Sequence, residues 1–155
     1  MSEPITGGCQ CGAVRYRVET LGRATICHCR MCQKAFGAFY GPLVTGNGLV
    51  WTRGVPKTFA SSNLVQRGFC ADCGTPLTFD WGGALEVSIG SLDNPELAAP
   101  VLQVNPADKL SFTDHLHELP TRAASTDPAV LARNASMVSH QHPDHDTDEN
   151  WNITP

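Results

Sequence analysis

Gly8-Cys9-Gln10-Cys11-Gly12 and Phe69-Cys70-Ala71-Asp72-Cys73-Gly74 are the two stretches on which the fold of this chain depends. Each presents two cysteines at a spacing that lets one tight turn direct both sulfurs to the same point. The glycine that follows each pair permits a positive φ, so backbone amides can point back at the thiolates. Two pairs supply four sulfurs, which saturate one tetrahedral zinc ion. We therefore expect a structural zinc site formed by Cys9, Cys11, Cys70 and Cys73. The alternative is a set of unpaired buried cysteines.

A third group of cysteines lies in Cys27-His28-Cys29-Arg30-Met31-Cys32 and offers three sulfurs. Three protein ligands leave the fourth position of a zinc ion open, which is the arrangement of catalytic zinc sites. We expect a second zinc here, and a catalytic role for Cys27, Cys29 and Cys32. A redox pair, or thiols that happen to lie close together, is the alternative. We expect the side chain of His28 to point away from the ion, and Arg30 and Lys34 to lie where they could pair with a carboxylate.

Composition limits the partners of the chain. It has 155 residues, of which 17% are charged, with a formal net charge of −4 and no basic run, so we expect no binding to nucleic acid. No apolar stretch approaches the roughly 18 residues that span a bilayer, and the N-terminal residues lack the features of a secretory signal. We therefore expect a cytoplasmic protein that does not bind membranes. Cytosolic thiols stay reduced, and the seven cysteines are an odd number, so metal binding explains them better than disulfides.

Short strands joined by tight turns dominate the hydrophobic pattern up to about residue 90. The 14 glycines and 11 prolines favour turns over long helices. The residues after Cys11-Gly12 alternate between apolar and basic, which is the period of a half-buried strand, and only a short helical turn is expected at 33–36. We predict a mainly β fold of small antiparallel sheets around a structural zinc. The predicted strands include the segments 13–18, 38–41, 43–44, 49–52, 57–59, 65–69, 77–79 and 85–89.

The composition changes near Pro120, which suggests a zinc-binding domain at 1–120 and a C-terminal extension at 121–155. Asp127-Pro128 is a typical helix start, so we predict a short helix over 128–138. Residues 139–155 are rich in His, Asp and Asn and contain few apolar groups, so we expect a flexible tail there.

The order of the cysteine motifs resembles that of the glutathione-dependent formaldehyde-activating (GFA) family, which also includes the centromere protein V domain. The resemblance covers roughly residues 5–118 and rests on seven cysteines at matched spacings. The segments that match family motifs are Gly7-Gly8-Cys9-Gln10-Cys11-Gly12 with Val14-Arg15-Tyr16, Cys27-His28-Cys29 with Cys32, Phe36-Gly37-Ala38, Phe69-Cys70-Ala71-Asp72-Cys73-Gly74 with Pro76-Leu77, and Ile89-Gly90-Ser91-Leu92-Asp93.

The resemblance implies a β-rich fold around a structural zinc, with a second zinc on the three-cysteine group. It also implies carbon–sulfur lyase chemistry on a glutathione adduct of an aldehyde, as in S-(hydroxymethyl)glutathione synthase. The expected partners are therefore glutathione, or a similar small thiol, and an aldehyde adduct. A non-catalytic zinc-stabilised binding or scaffold domain is the alternative function.

The chain departs from the family pattern after residue 105. The family commonly shows a histidine, an aromatic residue and then a tryptophan, whereas this chain reads Asp114-His115-Leu116-His117-Glu118-Leu119-Pro120. His115 aligns with the family histidine. Because His115 and His117 alternate as they would on a strand, we expect one of them to point inward, and we expect His115 to be a hydrogen-bonded structural residue rather than an acid or base.

Overall fold

The computed structural model describes residues 4–148 and residue 151, and these form two β-sheets with short helices between the strands. The strands, in chain order, are β1 (Ile5–Gly8), β2 (Arg15–Val18), β3 (Thr20–Cys27), β4 (Gly41–Asn47), β5 (Val50–Arg53), β6 (Lys57–Ala60), β7 (Gln66–Phe69), β8 (Pro76–Asp80), β9 (Glu86–Ser88) and β10 (Leu102–Val104). The α-helices are α1 (Arg30–Phe36) and α2 (Pro128–Ala135). Short 3-10 helices occupy Ile89–Ser91, Pro95–Ala98, Pro106–Asp108 and Ser111–Glu118.

The smaller sheet has three strands in the order β1-β2-β5, and the larger has seven in the order β10-β3-β4-β9-β8-β7-β6. The predicted mainly β fold with short helical turns is confirmed. Within the described residues, the strand pairs are antiparallel except for β10, which runs parallel to β3 and aligns Val104 with Cys27. The sequence pattern did not reveal β10, because three residues are too few to show a period.

Two further details differ from the prediction. Residues 5–8, which precede the first predicted strand, form β1, which pairs with β2 from Ile5↔Val18 to Gly8↔Arg15. Pro42, which was expected to separate two strands, lies inside β4. Its position opposite Ile26 leaves the β3–β4 pairing unbroken from Ala24 to Cys27.

The core lies where the two sheets meet and holds the first cysteine group against them. Tyr16 is fully buried, and its hydroxyl is 2.8 Å from that of Ser91. Its ring meets the edge of Trp51 with centroids 5.8 Å apart. The buried apolar residues packed with it are Cys9, Val14, Val18, Ala24, Val44, Cys70, Leu77, Val87, Ile89, Leu92 and Ala98. Because Cys9 and Cys70 belong to this cluster, the first metal candidate and the core form one packing unit.

A buried ion pair ties the smaller sheet to the turn after β9. The guanidinium of Arg15 donates to both carboxylate oxygens of Asp93, at 2.7 and 2.5 Å, and the Thr6 hydroxyl donates to the same carboxylate at 2.5 Å. The two charged side chains are 4% and 11% exposed. Burial alone would raise the pKa of Asp93, but the hydrogen bonds from Arg15 and Thr6 outweigh it and lower that pKa.

The C-terminal part contains the predicted helix as α2, which ends at Ala135 rather than at residue 138. The carboxylate of Asp127 caps it by accepting the Ala129 N–H at 2.8 Å. Residues 139–148, which belong to the predicted flexible tail, contain no helix or strand but make contacts with the domain that the sequence did not indicate. Residues 149–150 and 152–155 of that tail lie outside the described residues. The division at residue 120 stays a prediction. In the described part of the chain, no helix combines the length and the apolar character that crossing a membrane requires.

We predict that Asp93→Asn lowers the free energy of unfolding by about 3 kcal/mol at neutral pH, because it leaves the buried Arg15 charge without its main partner. The contribution of Asp93 is fully present above the pKa of an unfolded aspartate, about 3.9, and is lost as the pH falls through the lowered folded pKa. We expect urea unfolding to give the same difference in the free energy of unfolding between wild type and variant at pH 7 and pH 5. The difference should be smaller at pH 3.5.

The exposed Glu96→Gln is the matched control and should cost less than about 0.5 kcal/mol at each pH. If the difference in the free energy of unfolding between wild type and Asp93→Asn grew between pH 5 and pH 3.5, the role of this ion pair would be contradicted.

Candidate metal centres

The first cluster brings the two predicted cysteine pairs together. The sulfurs of Cys9, Cys11, Cys70 and Cys73 all lie within 4.8 Å of one another. The Cys9 and Cys11 sulfurs are 3.6 Å apart, and those of Cys11 and Cys70 are 3.8 Å apart. Sulfurs at about 2.3 Å from a central ion form a tetrahedron with edges of about 3.8 Å. This cluster could therefore close on one metal ion with little movement.

Both turns of the first cluster use the glycine that follows their second cysteine. Gly12 has a φ of 79° and Gly74 a φ of 77°, as expected from the sequence. Their amides donate to the carbonyls of Cys9 and Cys70, at 3.1 and 2.9 Å, which closes each turn. The N–H of Val14 lies 3.2 Å from the Cys9 sulfur and satisfies part of its charge.

The second cluster is held by the end of β3 and the start of α1. The sulfurs of Cys27, Cys29 and Cys32 lie within 4.8 Å of one another, so they could hold a metal ion together. Cys29 is the residue before the first turn of α1, where its sulfur accepts the Cys32 N–H at 3.4 Å. Cys27 and Cys32 are 7% and 2% exposed, whereas Cys29 is only half-buried. The cluster therefore reaches the surface on the Cys29 side.

Asn105 contacts the second cluster from the neighbouring strand. Because β10 runs parallel to β3, both strands end at the same edge of the sheet. Val104 lies opposite Cys27, and Asn105 is the residue after Val104. Its side-chain amide donates to the Cys27 sulfur at 3.1 Å. Asn105 has a φ of 53°, and no other non-glycine residue in the described ranges has a positive φ. This left-handed conformation has an energetic cost and points to a functional constraint on the residue.

Arg67 contacts the second cluster from the other side. Its guanidinium donates to the Cys32 sulfur at 3.2 Å and to the Ser61 hydroxyl at 3.0 Å, and it lies 4.8 Å from the centre of the Phe79 ring. The residue is only 4% exposed. A buried arginine needs a compensating negative charge, which the cluster would supply once its thiols are deprotonated.

His28 supports the cluster from behind. The residue is 1% exposed, so its side chain lies buried behind the cysteines rather than at the surface. Its imidazole Nε2 is 2.9 Å from Oε1 of Gln103, and its backbone N–H donates to the Val104 carbonyl at 3.0 Å. The buried Gln33 side chain donates to the carbonyls of His28 and Asp108, at 2.6 and 3.0 Å, and so connects α1 to the segment that follows Asn105.

The thiol pKa values differ strongly within each cluster. The hydrogen bond with Cys32 lowers the pKa of Cys27 to about 5, and Asn105 acts in the same direction against the effect of burial. The same hydrogen bond, followed by burial, raises the pKa of Cys32. In the first cluster, burial raises the pKa of Cys11. Burial also acts to raise the pKa of Cys73, but hydrogen bonds with Thr75 and Cys11 together outweigh it and lower that pKa to about 6. Metal binding would therefore release protons from the thiols with raised pKa values.

His115 and His117 do not lie on a strand. They belong to the 3-10 helix Ser111–Glu118, and their side chains are 66% and 77% exposed, so the expectation that one of them points inward is wrong. His115 Nδ1 lies 3.0 Å from a Glu118 carboxylate oxygen. The alternation of polar and apolar residues that suggested a strand arises here from a helical turn.

The C-terminal segment covers the first cluster. The N–H of His142 donates to the Gln10 carbonyl at 2.7 Å, and Nε1 of Trp151 donates to the Cys11 carbonyl at 3.1 Å. The His142 and Trp151 rings meet edge to face with centroids 4.8 Å apart, and His142 is 3% exposed. The predicted solvated character of this tail therefore does not apply to His142.

Two cavities flank α1 beside the second cluster. One has a volume of about 400 Å³ and the other about 460 Å³, and they share Lys34 and Phe59. Arg67, which contacts Cys32, also lines the first cavity. We call these two cavities together the basic cleft. Its charged lining residues are Arg30, Lys34, Lys57 and Arg67, and its aromatic lining residues are Phe36, Phe59 and Phe69.

The sequence did not indicate a role for Arg67 or Asn105. A signal was present for each: Arg67 lies within an otherwise uncharged strand segment, and Asn105 precedes Pro106, a pair that is typical of turns. The cysteine that Arg67 contacts, however, lies 35 residues away along the chain, and the one that Asn105 contacts lies 78 residues away. Only the tertiary structure shows that both residues meet the cysteine cluster.

We predict that Gly12→Ala is more destabilising than Gly74→Ala. Both glycines have nearly the same φ, so both variants should lose about 1 to 2 kcal/mol from backbone strain. A Cβ on Gly12 would lie 2.3 Å from Cδ2 of His142 and 2.7 Å from Nε1 of Trp151, whereas a Cβ on Gly74 would meet no atom within 4 Å. Thermal and urea unfolding of the metal-loaded proteins should show the difference.

The His142→Ala background provides the control. Removing the imidazole takes away part of the clash, so the extra cost of Gly12→Ala should shrink there. Equal costs for the two glycine variants in the wild-type background would mean that the C-terminal segment does not pack on the first cluster in solution.

Comparison with known proteins agrees with this geometry. A solved crystal structure of a Rhodobacter sphaeroides protein matches with a TM-score of 0.51 and 24% identity, covering 64% of this chain and 99% of that protein, which is a likeness of fold alone. No curated protein matches the chain. The family described as glutathione-dependent formaldehyde-activating enzyme (GFA) matches residues 4–107, which include both cysteine clusters and Asn105. The chain therefore belongs to the GFA family.

Proposed function

We propose that this protein is a zinc-dependent carbon–sulfur lyase of the S-(hydroxymethyl)glutathione synthase type, acting on the adduct of an aldehyde with glutathione or a similar thiol. Family membership supports chemistry of this type. The observation that carries the proposal is the second cluster, which offers three sulfurs rather than four and reaches the surface at Cys29 beside a basic cleft. The proposed location is the cytoplasm, where thiols stay reduced.

We propose zinc as the metal at both clusters, because thiolate-only sites with tetrahedral spacing suit that ion. Cys9, Cys11, Cys70 and Cys73 would hold a structural ion and Cys27, Cys29 and Cys32 a second one, which makes two per chain. When bound to the second cluster, zinc would supply an open coordination position that favours the thiolate form of a substrate thiol.

Arg67 and Asn105 are proposed to keep the second cluster reactive. Three thiolates give a zinc site a net negative charge, which weakens its attraction for a further thiolate. The cationic guanidinium on Cys32 and the amide on Cys27 offset part of that charge. Arg67 also lines the basic cleft, so one side chain contacts both the sulfur cluster and the space where a substrate could bind.

The proposed reaction needs no oxidant or reductant. In the synthetic direction the thiol sulfur forms a bond to the carbonyl carbon of the aldehyde, the carbonyl π electrons move to oxygen, and the proton lost by the thiol ends on that oxygen. Cleavage reverses each of these steps. The contribution of the protein is to hold the thiol deprotonated and beside the aldehyde, which is catalysis by proximity and by charge stabilisation.

We predict two zinc ions per chain by native mass spectrometry, one of which responds to excess glutathione or to mild chelation while the fold is retained. The Cys29→Ser variant should keep one zinc and its fold, because Cys29 is half-buried and lies outside the core cluster. In that variant, exchange between free formaldehyde and the S-hydroxymethyl adduct, measured by NMR, should slow at least about tenfold relative to wild type.

The matched control is Cys70→Ser, which removes a fully buried ligand of the first cluster and should unfold the chain when zinc is lost. A single tightly held zinc, together with no acceleration of adduct exchange by the wild-type protein, would refute the enzyme and favour a zinc-stabilised scaffold.

A further inference from the structure

The basic cleft concentrates positive charge in a protein whose formal net charge is −4. Four cations line it, and among the described residues that line either cavity none is acidic. Within the described ranges, no ion pair joins Arg30, Lys34, Lys57 or Arg67 to a carboxylate. Arg67 is directed at the second cluster through Cys32, so the cations left to attract an anion are Arg30, Lys34 and Lys57.

The shape of the cleft suits a small molecule with an apolar portion. The cavity between α1 and β6 to β8 has a volume of about 400 Å³, within the usual range for small-ligand sites. Phe59 and Phe69 form an edge-to-face pair in its wall, with ring centroids 6.0 Å apart. The carbon stems of Lys34 and Lys57 can extend this apolar surface while their ammonium groups stay in water.

Two features place the cleft next to the proposed reactive site, although no cysteine of the second cluster lines either cavity. Arg67 lines the cavity and donates to the Cys32 sulfur at 3.2 Å. Lys34 and Phe36 lie on α1, the helix whose first turn carries Cys32. A ligand whose sulfur lies at the second cluster could therefore place its remaining atoms in the cleft.

We propose that the basic cleft binds the anionic arm of the thiol substrate, and that it selects thiols rich in carboxylate or phosphate groups without recognising an ammonium group. This inference rests on the proposed function. The described lining residues include no carboxylate, the group that binds an ammonium most strongly. Lys34 and Lys57 offer positive charges to carboxylates, and neither has an ion-pair partner among the described residues. The preferred substrate is an acidic low-molecular-weight thiol, and the α-amino group of glutathione contributes nothing to its affinity.

The test uses ligands whose sulfur is blocked, so that binding reports on the cleft rather than on metal coordination. The probes are S-methylglutathione, its des-amino analogue with both carboxylates retained, and its diethyl ester. Calorimetry at low salt with the zinc-loaded protein should show that the des-amino analogue binds at least as tightly as S-methylglutathione. The diethyl ester should bind about tenfold or more weakly.

The Lys34→Gln/Lys57→Gln variant should weaken both diacids about tenfold and should not weaken the diethyl ester, which carries only an ammonium charge. Both side chains are exposed and unpaired, so zinc content and thermal unfolding should match wild type. The control is Arg122→Gln, which removes an exposed charge that lines neither cavity and should change no affinity. Added salt should weaken the diacids more than the ester.

Three results would overturn the inference: no binding of any blocked thiol, a des-amino analogue at least tenfold weaker than S-methylglutathione, or equal diacid binding by wild type and the double lysine variant. Adduct exchange with free glutathione, measured on the same proteins, separates this failure from that of the proposed function. Lysine-dependent binding without any exchange would refute the enzyme and leave the cleft as an anion site. Exchange with lysine-independent binding would refute the cleft alone.

Discussion

The convergence of four sulfurs from two distant turns is the constraint on which the rest of the fold depends. Cys9 and Cys70 are both in the core, so the cluster fixes the position of the smaller sheet against the β7–β8 hairpin. The N–H of Gln10 also donates to the Thr75 hydroxyl at 3.0 Å, which links the two turns directly. A core of this modest size gains much from a metal that binds only the folded chain, because the free energy of binding then adds to the free energy of folding.

The second cluster follows a different design. Its three cysteines come from one short stretch, so their spacing needs no distant partner, and their chemistry is set instead by what surrounds them. Arg67 arrives from β7 and Asn105 from the end of β10, one on each outer sulfur. The left-handed conformation of Asn105 shows that the fold tolerates strain to hold that amide in place. The second cluster differs from the first in having one sulfur fewer and in receiving side-chain hydrogen bonds from an arginine and an asparagine.

The parallel pairing of β10 with β3 is what gives the second cluster its environment. Parallel strands end at the same edge, which brings Asn105 to Cys27, Val104 to His28 and Gln103 to the imidazole of His28. The same pairing makes His28 a buried support for the cluster rather than a surface residue. The first cluster likewise receives contacts from a distant part of the chain. His142 and Trp151 donate hydrogen bonds to carbonyls of a turn more than 130 residues earlier.

The sequence by itself determined the mainly β fold, the grouping of the seven cysteines and the positive φ of Gly12 and Gly74. These features follow from local spacing, from alternation over a few residues and from the backbone freedom of glycine, all of which can be read along the chain. Only the tertiary structure decided which side chains meet the second cluster, where the cations gather and what covers the first cluster. Arg67 and Asn105 lie 35 and 78 residues from the cysteines they contact, and no local pattern encodes such a contact. The sequence also did not reveal that His115 lies in a helix. The alternating run around it is too short to show a period, so its conformation depends on its packing partners.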